Sequence, residues 1–267
     1  MVTLNELMHM KGRRVLITGA TGGFGQVIAD TLAELGADLF LVDKPGTDFR
    51  HLSDSVARRW GVKIQCETCD LEQQAQRDDL VARVKRGGTK LDILINNAAF
   101  VGTSSLKGWA LPFEQQSVET WRRAIEVNLT AVFDLCKQLT GLMRESPCAS
   151  IINVGSIYGQ YGPDWRLYEG TDMGNPAAYA ASKGGLIQLT RWLATTLAPH
   201  IRVNCISPGG IFRNQPPSFV ARYEAHTPLG RMAHEDDVRG AIAYLASDLS
   251  KYVTGQDIAV DGGWGVW

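Results

Sequence analysis

Thr18-Gly19-Ala20-Thr21-Gly22-Gly23-Phe24-Gly25 is the stretch on which the fold of this chain turns. Before it stands Val15–Thr18, a short run of β-type residues. After it comes Phe24–Leu35, an amphipathic segment of helical length. The chain must therefore turn sharply from strand to helix and pack the helix tightly on the sheet, and glycine suits both demands. The first turn of such a helix presents free N–H groups and a positive dipole end, which suit a phosphate. The spacing of Gly19, Gly23 and Gly25 is not the common G-x-G-x-x-G, and a glycine-rich turn by itself is equally a structural turn. The context favours phosphate binding: a strand precedes, a helix follows, and the next β-type run, Leu39–Asp43, ends in an acid.

The same alternation continues outward. Val62–Gln65, Ile93–Asn96, Ser150–Val154, Arg202–Ile206 and Asp257–Val260 are short and rich in Val, Ile and Leu, as strands buried on both faces are. Amphipathic stretches such as Leu71–Lys85, Val118–Met143 and Ala177–Ala198 separate them. The pattern predicts an α/β fold, a Rossmann-type doubly wound parallel sheet of about seven strands with helices on both faces. No linker or repeat divides it, so residues 1–267 are expected to form a single domain with both cofactor-binding and catalytic functions. Pro and Gly concentrate in Gly159–Pro176 and Ser207–Pro217, each after a strand and so over the carboxyl edge, where open α/β sheets bind ligands.

Composition narrows the function. The 267 residues are 45% hydrophobic and 21% charged, as in a soluble globular protein. The charge balance of 27 basic against 28 acidic residues gives no footprint for nucleic acid or an anionic membrane. No apolar run approaches the ~20 residues of a membrane span. The opening MVTLNELMHMKGRR lacks the apolar core of a secretion signal. Five cysteines scattered through the chain suggest reduced thiols and a cytoplasmic setting. Cys66 and Cys69 form a C-x-x-C, but no second pair of ligands completes a zinc site, and a buried strand end explains them; no metal is expected.

Tyr179-Ala180-Ala181-Ser182-Lys183 lies on a predicted helix, where i and i+4 share a face. An ammonium there would stabilise phenolate and lower the tyrosine pKa, making a usable acid/base. With these residues and the glycine turn in place, the chain resembles the short-chain dehydrogenase/reductase family along nearly its whole length, in its short branch of about 250 residues. Thr18–Gly25 matches the family turn, Asp70 the acid at adenine, and Asn96-Asn97-Ala98-Ala99 the segment after the fourth strand. Asn128 matches the active-site asparagine, Ser156 the catalytic serine, and Tyr179 with Lys183 the Y-x-x-x-K pair. Ser207-Pro208-Gly209, Thr254-Gly255-Gln256 and Asp261-Gly262-Gly263 match later segments.

The resemblance implies a catalytic set of Asn128, Ser156, Tyr179 and Lys183. Tyr179 would exchange a proton with the substrate oxygen as hydride moves to or from nicotinamide. Ser156 would orient that oxygen. Lys183 would lower the Tyr179 pKa and hold the nicotinamide ribose, and Asn128 would fix a relay water. The expected cofactor contacts are Gly19, Thr21, Gly23, Phe24, Gly25, Asp43, Asp70, Leu71, Asn97, Ala98, Pro208, Gly209 and Ile211, together with Tyr179 and Lys183. A carboxylate at Asp43 can accept from both adenosine ribose hydroxyls and would repel a 2′-phosphate, which favours NAD over NADP. Lys44 pulls the other way. Two departures stand out: Ala99 replaces a family glycine, and Arg213 occupies a position where the family often has a threonine at the nicotinamide amide.

From Ser156 to Tyr179 is 23 residues, a longer gap than simple members of the family show. The intervening Tyr158, Tyr161, Trp165 and Tyr168 stand among acids and an arginine. Flat aromatics beside hydrogen-bonding groups suit a sugar. A lid or subunit contact is the plainer reading of such a loop. Ile157-Tyr158-Gly159, Tyr168-Glu169-Gly170-Thr171, Pro208-Gly209-Gly210-Ile211 and Asn214-Gln215-Pro216 also resemble bacterial oxidoreductases of surface-glycan and flagellin sugar biosynthesis. Ser156, Tyr158, Tyr168, Gly210 and Asn214 are the expected substrate contacts. The leading expectation is an NAD-dependent dehydrogenase of a sugar, polyol or sugar derivative. The alternatives are an enzyme of a small non-sugar ketone or hydroxy acid, which Arg166, Arg213 or Arg222 would favour, and a non-catalytic NAD sensor. A homotetramer or homodimer is expected, because Trp264 and Trp267 near the end of the chain would otherwise be exposed.

Overall fold

A computed structural model describes residues 1–102 and 104–267. Seven strands pair side by side, all parallel: β1 (Arg14–Thr18), β2 (Asp38–Asp43), β3 (Ile64–Thr68), β4 (Ile93–Asn96), β5 (Ala149–Val154), β6 (Ile201–Pro208) and β7 (Asp257–Val260). Their order across the sheet is β3-β2-β1-β4-β5-β6-β7. The chain starts in the middle, builds one half outward, then returns to β4 and builds the other half. Loops after β1 and β4 therefore leave in opposite directions, and a crevice opens between them at the carboxyl edge.

Alternate strand residues feed two cores, as the two-residue period of a strand requires. Val15, Ile17, Leu39, Leu41, Ile93 and Ile95 pack under α2 (Gly23–Glu34), α3 (Arg50–Trp60) and α9 (Arg239–Ala246). Leu16, Phe40, Val42, Leu94, Ile151 and Val203 pack under α4 (Gln74–Arg86), α6 (Ala131–Arg144) and α7 (Ala177–Leu197). Each such side chain contributes about 1.5–3 kcal/mol by leaving water. The remaining helices are α1 (Leu4–Met8), α5 (Val118–Ile125) and α8 (Pro217–His226). No helix among the described residues is long and apolar enough to cross a membrane.

Several boundaries differ from expectation: α4 begins at Gln74 rather than Leu71, and β6 runs Ile201–Pro208 rather than Arg202–Ile206. The third strand begins at Ile64 rather than Val62 and runs on to Thr68; it is the sheet edge and half-exposed, so its apolar signal is weak. The helical stretch Val118–Met143 is interrupted by one π-helical turn, Glu126–Thr130, between α5 and α6.

Candidate active site

A cleft of about 1280 Å³ runs along the carboxyl edge, from the turn after β1 to the loops after β5 and β6. Its near end is built by the glycine turn. Gly19 holds a left-handed φ of +64°, and a Cβ there would lie 2.8 Å from Ala98 Cα. A Cβ on Gly25 would overlap Gly19 O. Asn97 ties the turn to β4, donating through Nδ2 to Thr18 O at 3.0 Å and Gly19 O at 2.9 Å. Gly22 caps α2 without a side chain, which leaves the first-turn N–H groups uncovered for an anion. Asp43, at the end of β2, accepts from Thr21 N at 2.9 Å and Thr21 Oγ1 at 2.8 Å on one oxygen. Its other oxygen accepts from Lys44 N at 2.8 Å. A carboxylate has about four acceptor positions, so about one remains for a ribose hydroxyl rather than the two expected. Asp70 Oδ1 accepts from Glu72 N, which fixes the loop that carries Leu71 into the cleft. A backbone cradle that side chains would fill, a free helix start and a carboxylate beyond it fit an adenine dinucleotide.

The far end holds the chemistry. Ser156 follows β5, and its hydroxyl accepts from Tyr158 N at 3.2 Å. Tyr179 and Lys183 share one face of α7, with Lys183 Nζ 5.8 Å from the centre of the Tyr179 ring. Lys183 is buried and donates to Val154 O at 2.6 Å. Burial pushes its pKa down to about 8. Burial also pushes the Tyr179 phenol above its ordinary value, while a hydrogen bond with Ser156 and the charge of Arg213 oppose that rise. The phenol is therefore raised rather than lowered; what opposes the rise is Ser156 and Arg213, and the Lys183 ammonium is bonded to a backbone carbonyl.

Asn128 lies behind the wall rather than on it. It sits in the π turn and accepts from Phe100 N at 2.8 Å. Its Nδ2 donates to Phe100 O and Ser182 Oγ, each at 3.0 Å. One amide thereby links the π turn to the loop after β4 and to α7. Pro208, Gly209, Gly210 and Ile211 line the cleft after β6.

Tyr158 and Tyr168 face each other across a 2.7 Å hydroxyl–hydroxyl bond in the cleft, and Asn175 lines the same cleft. Tyr161 and Trp165 lie outside it. The placement of Asn214 as a substrate contact is corrected: it is an exposed turn residue at φ +58°, a conformation asparagine tolerates, and does not line the cleft. Arg166 pairs with Asp164 at 2.8 Å, and Arg222 donates to Leu167 O and Glu169 O, so of the three arginines only Arg213 lines the cleft. Sequence reasoning also did not reach Phe100, Arg123, Asp172, Asn175, Phe219 and Tyr223, which line the cleft from elements that carry no motif. Among the described residues no cluster of three His, Cys, Asp or Glu is placed to hold a metal, and all five cysteines are free.

Fold and site together define an oxidoreductase built for a nicotinamide dinucleotide. The family model described as enoyl-(acyl carrier protein) reductase matches residues 19–265. The chain belongs to the short-chain dehydrogenase/reductase family. It is 31% identical over 269 residues to the NADP-dependent mannitol dehydrogenase of Alternaria alternata, covering 98% of this chain and 95% of that one. It is 33% identical over 260 residues to the cis-4-hydroxycyclohexanecarboxylate dehydrogenase of Sinomonas cyclohexanicum, covering 94% and 96%. A short-chain dehydrogenase from Leptospira borgpetersenii with bound NAD+ superposes with a TM-score of 0.83 at 33% identity, covering 99% and 97%.

Proposed function

We propose that this protein is an NAD-dependent dehydrogenase acting on a secondary alcohol of a sugar, polyol or sugar derivative. The carrying observation is the hydrogen-bonded Tyr158–Tyr168 pair, with Asn175, in the same cleft as Tyr179. Partly buried hydroxyls and an amide beside the proton-transfer group recognise a substrate with several hydroxyls and discriminate against one without them. The mannitol dehydrogenase relative supports the same class. NAD supplies or accepts the hydride. Tyr179 exchanges the proton of the substrate oxygen, which Ser156 holds in place. Lys183, held by Val154 O, reaches the ribose side, while Ser156 and Arg213 support phenolate character in Tyr179. Asn128 fixes the wall from which a relay water is held. Gly19, Gly23 and Gly25 clear the pyrophosphate path, and Asp43 selects the unphosphorylated ribose.

A second reading rests on Arg213: a cation lining the cleft suits a small hydroxy acid, as in the hydroxycyclohexanecarboxylate relative. Initial rates with NAD and NADP across sugars, polyols and hydroxy acids, with Tyr179→Phe as control, separate the two. Turnover confined to hydroxy acids refutes the polyol reading.

One fold carries both sites, without a separate substrate domain, in a cytoplasmic setting that matches the free thiols. The protein works as a homotetramer or homodimer. The reason differs from that given by the sequence. Trp264 is covered by Tyr158, Tyr161, Tyr223 and His226 of its own chain. Exposed Trp121, Phe133 and Trp192 on α5, α6 and α7, with Trp267, are the apolar surface that association covers.

A further inference from the structure

Four basic side chains line the cleft among the described residues: Lys44, Arg123, Lys183 and Arg213. Two are bonded elsewhere and a third lies at the ribose end. Lys44 stands beside Asp43 at the ribose end. Arg123 is held by two 2.8 Å bonds to Glu72. Lys183 donates to Val154 O. Arg213 differs. Its Nε donates to Glu235 Oε1 at 2.9 Å, which leaves both terminal nitrogens with donors to spare. The pair lies directly on the first residue of α2: a Cβ on Gly23 would come 3.1 Å from Arg213 Nη2 and 2.9 Å from Glu235 Oε1. Glycine at 23 therefore gives the ion pair room to rest on the helix start. Glu235 opens a 3-10 turn, Glu235–Val238, that packs on α2, so the brace is anchored to the scaffold and not to a free loop.

We propose that Arg213 is the pyrophosphate clamp of this enzyme, with Glu235 as the residue that positions it. The inference rests on the dinucleotide reading of the cleft. The helix start offers an anion about half a unit of charge, and a pyrophosphate carries more than that. A planar guanidinium with two free nitrogens meets phosphate oxygens in a bidentate fork, which a threonine hydroxyl cannot do. The departure from the family pattern at Arg213 thus replaces a neutral contact with an ionic one aimed back across the cleft. Glu235 fixes the fork, and its own charge lies close enough to the phosphates to oppose them.

The test is calorimetric binding of ADP-ribose, NAD and adenosine to the full-length protein at two salt concentrations. A charge-assisted bond of this kind is worth about a tenfold to hundredfold change in affinity. Arg213→Ala is expected to weaken ADP-ribose and NAD by that factor and leave adenosine, which has no phosphate, within about twofold. The wild-type advantage should shrink as salt rises. Glu235→Gln keeps an acceptor for Nε but removes the opposing charge, so ADP-ribose binding should hold or tighten. A purely structural ion pair predicts the reverse: both variants weaken every ligand together. That result, an unchanged ADP-ribose affinity in Arg213→Ala, or an effect confined to substrate KM would each overturn the clamp. Failure of wild type to bind ADP-ribose would instead refute the dinucleotide reading itself. Wild-type thermal unfolding in both variants excludes misfolding as the cause.

Discussion

Removing the charge of Asp43 while keeping its shape tests how this cleft chooses its cofactor. The carboxylate is half-buried and fixed by Thr21 N, Thr21 Oγ1 and Lys44 N, so it cannot swing away from an incoming group. A 2′-phosphate carries about −1.5 to −2 charges near neutral pH. At roughly 5 Å from a carboxylate the repulsion is about 5 kcal/mol at an effective permittivity of 20 and about 1 kcal/mol in water. A half-exposed site lies between, at about 2–3 kcal/mol, or a factor of about 30–150 against NADP. Lys44 is exposed and returns less than about 1 kcal/mol, so the carboxylate wins. Asp43→Asn retains an acceptor for Thr21 and loses the charge. The ratio of kcat/KM for NAD over NADP should fall by about 30–150-fold, and taking a ratio cancels any damage shared by both cofactors. If wild type already uses NADP as well as NAD, or if the ratio moves by less than about threefold, the electrostatic argument is wrong.

Tyr179→Phe should lower kcat by about 10²–10⁴-fold with NAD affinity retained, measured by rapid kinetics beside calorimetry; near-normal turnover would place the acid/base elsewhere. Burial holds the Lys183 pKa near 8 against 10.5 when unfolded, so the folded protein binds fewer protons between those values and its stability rises with pH across that window. Denaturant melts should therefore show Lys183→Met losing, between pH 8 and 10.5, an advantage over wild type of about 3 kcal/mol; parallel curves would refute it. Gly25→Ala forces a Cβ onto Gly19 O and should cost at least about 1–3 kcal/mol and abolish dinucleotide binding, checked by the same melts and calorimetry. Light scattering at micromolar concentration should find a dimer or tetramer, and Trp192→Glu should weaken it; a monomer in wild type would leave Phe133 and Trp192 unexplained.

How much of this was legible in the sequence follows from how each residue acts. The sheet could be read because its five inner strands are largely buried, and a buried strand has to be apolar. The edge strand β3 faces water along part of its length, and its start slipped accordingly. The cofactor end could be read because Gly19 and Asp43 act through their own backbone or charge at a fixed spacing. The substrate end was harder. Tyr158 and Tyr161 look alike in a sequence, yet only Tyr158 and Tyr168 turn into the cleft. Asn175 carries no motif and matters only because the loop brings it to that pair. Asn214 was misplaced because an asparagine in a left-handed turn reads like a polar ligand.

The π turn at Glu126–Thr130 carries one residue more than an α-helical path needs. Removing any one of those five would let α5 and α6 merge into a single regular helix. Such a deletion would mend the local hydrogen bonding and yet rotate everything upstream by about 100° relative to α6. Asn128 would lose its hold on Phe100 and Ser182 together. Length in this segment is therefore under tighter constraint than residue identity: a conservative exchange at Thr130 can be absorbed, whereas a single-codon deletion there would yield a well-folded helix attached to a dismantled wall.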